Sequence, residues 1–203
     1  MTITYTYGNS LYVNITNRCS NACTFCVRTK ADGFYADSLW LEREPTAEEI
    51  LTDILAKDPL SYDGVVFCGY GEPTERLADL LAVCRALKER FPTLPLRLNT
   101  NGQADLIAGR DTAPDFAGTF DVISISLNAP TAKGYQAVCR SRYGEEAFDA
   151  ILSFAEKVKA YVPKVVFSVV RGTIPDDDLD KCQAIADRCG IPLRIRDYIQ
   201  TNS

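Results

Sequence analysis

The sequence predicts an α/β fold, a partial (β/α)6 barrel of the TIM type whose parallel strands leave it laterally open. Three observations lead there. Six short apolar, β-branched runs alternate with helical patterns along the 203 residues, and such alternation marks parallel βαβ units. The strands alternate apolar with polar side chains, so each has one face for helices and one facing something polar and roomy. Six units fit into 203 residues, whereas a closed eight-stranded barrel takes roughly 250.

The first strand, residues 11–17, sets Leu11, Val13 and Ile15 against Tyr12, Asn14 and Thr16. A helix follows over 46–57, with Thr46 as N-cap and two glutamates in its first turn. The second strand covers 64–68 and its helix 75–90. The third, 95–99, opposes Leu96 and Leu98 to Arg97 and Asn99, with a short helix over 103–109. The fourth, 121–128, opposes Ile123, Ile125 and Leu127 to Ser124, Ser126 and Asn128, and leads to a helix at 145–161. The fifth, 164–170, precedes a helix at 176–188 that opens on three aspartates and stops at Cys189-Gly190. The sixth, 192–196, opposes Leu193 and Ile195 to Arg194 and Arg196. With no repeat, low-complexity run or flexible linker, residues 1–203 read as one domain.

Composition narrows the chemistry. The net charge of −5 argues against a dedicated nucleic-acid surface. The sequence has no histidine, which excludes Ser-His, Cys-His and His-ligated zinc mechanisms. No targeting segment and no apolar run approaching about 18 residues is visible, which predicts a cytoplasmic protein without a membrane partner. In that reducing setting eight cysteines suggest metal binding and core packing in preference to four disulfides.

The strongest chemical signal is Cys19-Ser-Asn-Ala-Cys23-Thr-Phe-Cys26, a C-x3-C-x2-C spacing just after the first strand. Loops at the carboxyl ends of parallel strands are where such barrels place their sites. Three thiolates that close together can hold one face of a metal or cluster. The next cysteine, Cys68, comes 42 residues after Cys26, so three protein ligands and one open position describe a catalytic centre better than a closed structural one. A structural knuckle completed by Cys68 or Cys139, and three unrelated buried thiols, are the competing readings.

This triplet, with an aromatic before its last cysteine, resembles the radical S-adenosylmethionine (SAM) superfamily. The likeness continues in order along the chain. Gly69-Tyr70-Gly71-Glu72-Pro73 is similar to the family's glycine-rich motif, Asn99-Thr100-Asn101-Gly102 to the polar end of its third strand, and Ser126 with Asn128 to its fourth. The resemblance implies that Cys19, Cys23 and Cys26 hold a [4Fe–4S] cluster, with SAM on the fourth iron. Glu72 would then accept the amino group of SAM, and Arg140 or Arg142 would meet its carboxylate. Ser126 and Asn128 would contact the ribose, while Val170 and Phe25 would flank the adenine. It further implies a radical SAM enzyme that uses a one-electron reductant of flavodoxin or ferredoxin type. Reductive cleavage of SAM would give a 5′-deoxyadenosyl radical that acts on a substrate the sequence does not identify. Segments such as FCGYGEPTERL and SISLNAPTA look most like small family members associated with TatD-type hydrolases, which implies a TatD-like partner. An iron–sulfur electron carrier or sensor without turnover is the alternative function.

Three further expectations concern the surroundings. Loop 30–45, with Phe34, Tyr35, Leu39 and Trp40, is either a lid or satellite core. The polar-face arginines Arg97, Arg194 and Arg196 either pair with Glu72, Asp121 or Asp197, or bind an anionic group of the substrate. Cys84, Cys182 and Cys189 share helix faces with apolar residues and read as packing. Cys68 and Cys139 flank the site-bearing loops.

Overall fold

The computed structural model describes residues 1–29 and 39–198. Seven strands form one sheet in chain order: β1 (Thr4–Tyr7), β2 (Ser10–Val13), β3 (Val65–Phe67), β4 (Leu96–Thr100), β5 (Val122–Ser126), β6 (Lys164–Val170) and β7 (Leu193–Arg196). From β2 onward every neighbouring pair is parallel, and β1 and β7 do not pair with one another. The six parallel strands are the six expected, and the barrel is open. Helices α1 (Ala47–Ala56), α2 (Leu77–Arg90), α3 (Ala104–Ala108), α4 (Ala132–Cys139), α5 (Glu146–Val158) and α6 (Asp176–Cys189) lie between them.

The period-two alternation decides which way each strand faces. Leu11, Val13, Val65, Phe67, Leu96, Leu98, Ile123, Ile125, Val165, Phe167 and Val169 are buried against the helices in one core. Their alternates stand in register across the other face, where Tyr12, Val66, Arg97, Val122 and Lys164 form one row. Thr46 caps α1 as expected, in a reciprocal capping box with Glu49.

Three features differ from the sequence reading. The first strand is half of a hairpin: β1 runs antiparallel to β2 through a turn at Gly8, whose φ is +57°. Asp53 of α1 pins β1 by accepting from the Thr4 amide (3.0 Å) and hydroxyl (2.6 Å). The second is α4, which the periodicity did not announce because it is short and holds Gly134; Thr131 caps it by accepting from the Gly134 amide. The helix expected from residue 75 starts at Leu77, since Glu72-capped Pro73–Arg76 forms a 3-10 turn first. No described helix is long and apolar enough to cross a membrane.

Candidate cofactor site at the carboxyl ends of the strands

The loop carrying the three cysteines leaves β2 and is fastened at many points. Ala22 and Thr24 donate backbone bonds to Cys139 and Val138 at the end of α4, and Arg142 donates back to Ser20. Beneath it lies a buried polar network. The Tyr135 hydroxyl accepts from Asn21 (2.8 Å) and Gln103 (2.9 Å), Gln103 also donates to Asn21, and Ser141 donates to Gln103. Asn101 donates to Ser20 at 2.7 Å. Buried polar groups so fully paired hold one geometry. Arg28, two residues beyond the last cysteine, turns inward and donates to the carbonyls of Asn21, Asn17 and Tyr70. Its charge favours the thiolate of all three cysteines, whereas burial pushes Cys19 and Cys26 up, Cys19 to about 12, and the hydrogen bond to Cys139 together with burial raises Cys23. Arg28 and this network were missed because α4 was missed and nothing local marks residues so far apart in sequence as neighbours.

The G-x-G-E-P segment proves to be the support of that loop. A Cβ on Gly69 would stand 2.0 Å from Asn14 Oδ1, and one on Gly71 would stand 2.3 Å from the Thr16 carbonyl and 2.5 Å from that of Arg18. Gly69 therefore lets this segment close on the Asn14 side chain, and Gly71 lets it lie directly on the backbone that leads into the cysteines. Glu72 donates its amide to the Arg18 carbonyl, and Asn14 accepts from the Tyr70 amide. The Glu72 carboxylate is buried and takes four hydrogen bonds: Thr74 amide and hydroxyl, Thr100 hydroxyl and Asn101 amide. Burial pushes this carboxyl up against those bonds.

One cavity of about 280 Å³ collects many of the expected residues. Phe25 and Cys26 of the loop, Gly69 and Tyr70 after β3, Asn99 of β4, Ser126 of β5, Val170 of β6 and Arg196 of β7 all line it, with Cys68 and Tyr12. Other expected residues lie outside its walls. Gly71 and Glu72 are not among its lining residues. Asn128, at φ +56°, is buried and donates to the Cys139 sulfur at 3.4 Å. Arg140 is the exposed left-handed C-cap of α4, and Arg142 pairs with Glu75 and stacks on Tyr143.

The three polar-face arginines separate. Arg196 is in this cavity, while Arg97 and Arg194 line a second one toward the amino ends of the strands. The partners expected for them are otherwise engaged: Glu72 with Thr74, Thr100 and Asn101, Asp121 with Lys88 and the Leu96 amide, Asp197 near Arg171. Leu39 packs with Tyr70, Tyr5 and Val27 as a satellite cluster, and Trp40 meets the Tyr70 ring edge-on at 5.3 Å. Phe34, Tyr35 and the rest of that loop to residue 38 lie outside the described residues. Cys84 and Cys182 are core, and Cys189 packs against it. Cys139 is fully buried and shares a hydrogen bond with Cys23, which holds Cys139 below the ordinary thiol value and Cys23 above it.

An open parallel barrel with a cysteine loop at the carboxyl end of its first parallel strand carries that loop where barrels of this class place their sites. The chain belongs to the radical SAM superfamily, whose family model matches residues 13–183. No curated protein matches it. Among solved structures it is similar to Streptococcus suis SuiB bound to precursor peptide SuiA, at TM-score 0.71 and 17% identity, over 95% of this chain and 40% of that one. It is also similar to a radical SAM methyltransferase from Sphaerobacter thermophilus, at TM-score 0.60 and 17% identity, over 96% of this chain and 68% of that one. For methylornithine synthase the values are 0.63 and 14%, over 94% of this chain and 53% of that one. The chain thus spans about two fifths of SuiB, and at these identities the likeness is one of fold.

The donor set suits the iron–sulfur cluster of this family. Three half-buried thiols sit on one tethered loop beside a cavity, with a half-buried cation and no histidine. Among the described residues no three acidic or thiol side chains are gathered closely enough to hold a metal ion, and the Cys23 thiol is turned to Cys139.

Proposed function

We propose that this chain is a radical SAM enzyme that holds a [4Fe–4S] cluster on Cys19, Cys23 and Cys26 and SAM in the adjoining cavity. The observation that supports this most is that Cys26 and Phe25 share one cavity with the carboxyl ends of five strands. Bound together, cluster and SAM supply one-electron cleavage of a carbon–sulfur bond, chemistry that side chains lack. The protein's own part is binding, orientation and exclusion of water. Asn99 and Ser126 offer polar contacts to a ribose, Phe25 and Val170 offer apolar walls to a purine, and Tyr12, Leu39 and Tyr70 close the cavity's sides. Glu72 fixes the loop behind them. Among the described residues its Oε2 accepts from the Asn101 amide alone, which leaves a lone pair for an ammonium group.

The reading includes a flavodoxin- or ferredoxin-type reductant, a cytoplasmic setting that keeps the thiols reduced, and a substrate that is anionic or presented by a partner. Association with a TatD-like hydrolase rests on sequence segments alone.

Anaerobic reconstitution tests it. About four irons and four sulfides per chain are expected, and dithionite with SAM yields 5′-deoxyadenosine and methionine by mass spectrometry. Cys23→Ala loses both. A reconstituted protein that never cleaves SAM makes this an electron carrier or sensor, and a colourless zinc-loaded protein removes both readings.

A further inference from the structure

The second cavity, of about 350 Å³, lies under the first, at the amino end of the lumen. Its floor is Val122 and Ser124 of β5 and Val166 of β6, its walls are Arg97 of β4 and Arg194 of β7, and Lys164 stands at its rim. Three cations therefore surround one space, and no described residue lining it is acidic. Neither arginine nor Lys164 takes part in an ion pair among the described residues. Among the described residues, the one side-chain bond of Arg97 runs from Nε to Asn99 Oδ1 at 2.9 Å. Asp121, next to this floor in sequence, is occupied by Lys88 and the Leu96 amide.

Like charges around a cavity repel unless something neutralises them. The polar groups here point to what that is. Guanidinium and ammonium groups only donate, and the Ser124 hydroxyl can donate as well. A ligand that satisfies them accepts hydrogen bonds and carries more than one negative charge. We propose that this cavity is an oxyanion site for a doubly charged group, a phosphoryl group or a pair of carboxylates. The guanidinium forks of Arg97 and Arg194 take its oxygens, with Lys164 and Ser124 completing the shell. This site needs neither cluster nor SAM and stands apart from the cofactor cavity. It is nonetheless coupled to it. Asn99 lines the upper cavity and receives the Arg97 Nε bond, so an anion that reorients Arg97 is felt there. Burial and the neighbouring Arg194 hold Arg97 below its ordinary value, the direction that an unneutralised pair of cations gives.

Calorimetric titration of the full chain tests the site, at constant ionic strength, with inorganic pyrophosphate in one arm and malonate in the other and chloride as reference. One-to-one binding is expected in at least one arm. Pyrophosphate alone marks a phosphoryl site, and binding of both marks a general dianion site. Arg194→Gln and Lys164→Gln, both at exposed positions, are each expected to weaken binding about tenfold, with the melting temperature in chloride held or raised. Arg110→Gln, on a surface pair with Asp115, leaves affinity unchanged. Absence of binding in both arms overturns the proposal. So does unchanged affinity in Arg194→Gln and Lys164→Gln, or a melting temperature lowered by both substitutions, which would make these cations structural.

Discussion

Gly71→Ala is expected to destabilise the protein by at least about 3 kcal/mol and to strip the cysteine loop of its capacity to hold iron. The added Cβ would stand 2.3 Å and 2.5 Å from two carbonyl oxygens, those of Thr16 and Arg18. Both are backbone, so relief requires moving the main chain that leads directly to Cys19. The Glu72 amide, hydrogen-bonded to the same Arg18 carbonyl at 2.8 Å, moves with it. Gly109→Ala is the control. It adds left-handed strain at φ +66° but meets nothing within 4 Å, so it costs about 1–2 kcal/mol and leaves iron content unchanged. Urea unfolding and iron analysis read both. A Gly71→Ala protein with wild-type stability and iron would show that the two loops do not depend on their contact.

Replacing Glu72 separates scaffolding from ligand binding at one residue. Glu72→Ala leaves the buried amides of Thr74 and Asn101 without their acceptor. Each orphaned donor costs about 1–3 kcal/mol, so a loss of about 3–5 kcal/mol is expected by urea titration. Glu72→Gln keeps one oxygen for the Thr74 and Thr100 donors but turns an NH2 toward the Asn101 amide, and is expected to cost about half as much. If Glu72→Gln is as stable as wild type yet no longer cleaves SAM, the carboxylate serves the ligand and not the loop. If it loses stability and cleavage in parallel, the loop is its principal charge.

Several sequence expectations met their positions through simple periodicity. Leu96, Leu98, Ile123 and Ile125 went to the helix side and Arg97, Asn99, Ser124 and Ser126 to the lumen because a strand has only two faces. The cysteine spacing and the G-x-G-E-P segment were legible because each is contiguous. Their relation was not. The glycines make room for the Asn14 side chain and for the Thr16 and Arg18 carbonyls, contacts between segments more than 50 residues apart. Arg28 and the Asn21, Gln103, Tyr135 and Ser141 network were invisible for the same reason. The hairpin was marked by Gly8-Asn9 between two tyrosine-rich runs and was passed over.

The sequence by itself determined the six parallel strands, the polar face of the sheet, and the loop that carries three thiols. Alternation and spacing are local, and a single chain cannot satisfy them another way. Only the tertiary structure decided which of the polar-face residues meet. Arg97 and Arg194 were divided from Arg196, Asn128 and Glu72 were left out of the cavity lining, and Cys139 was set against Cys23. Register and the curvature of the sheet settle those meetings, and both arise from the packing of all the strands together.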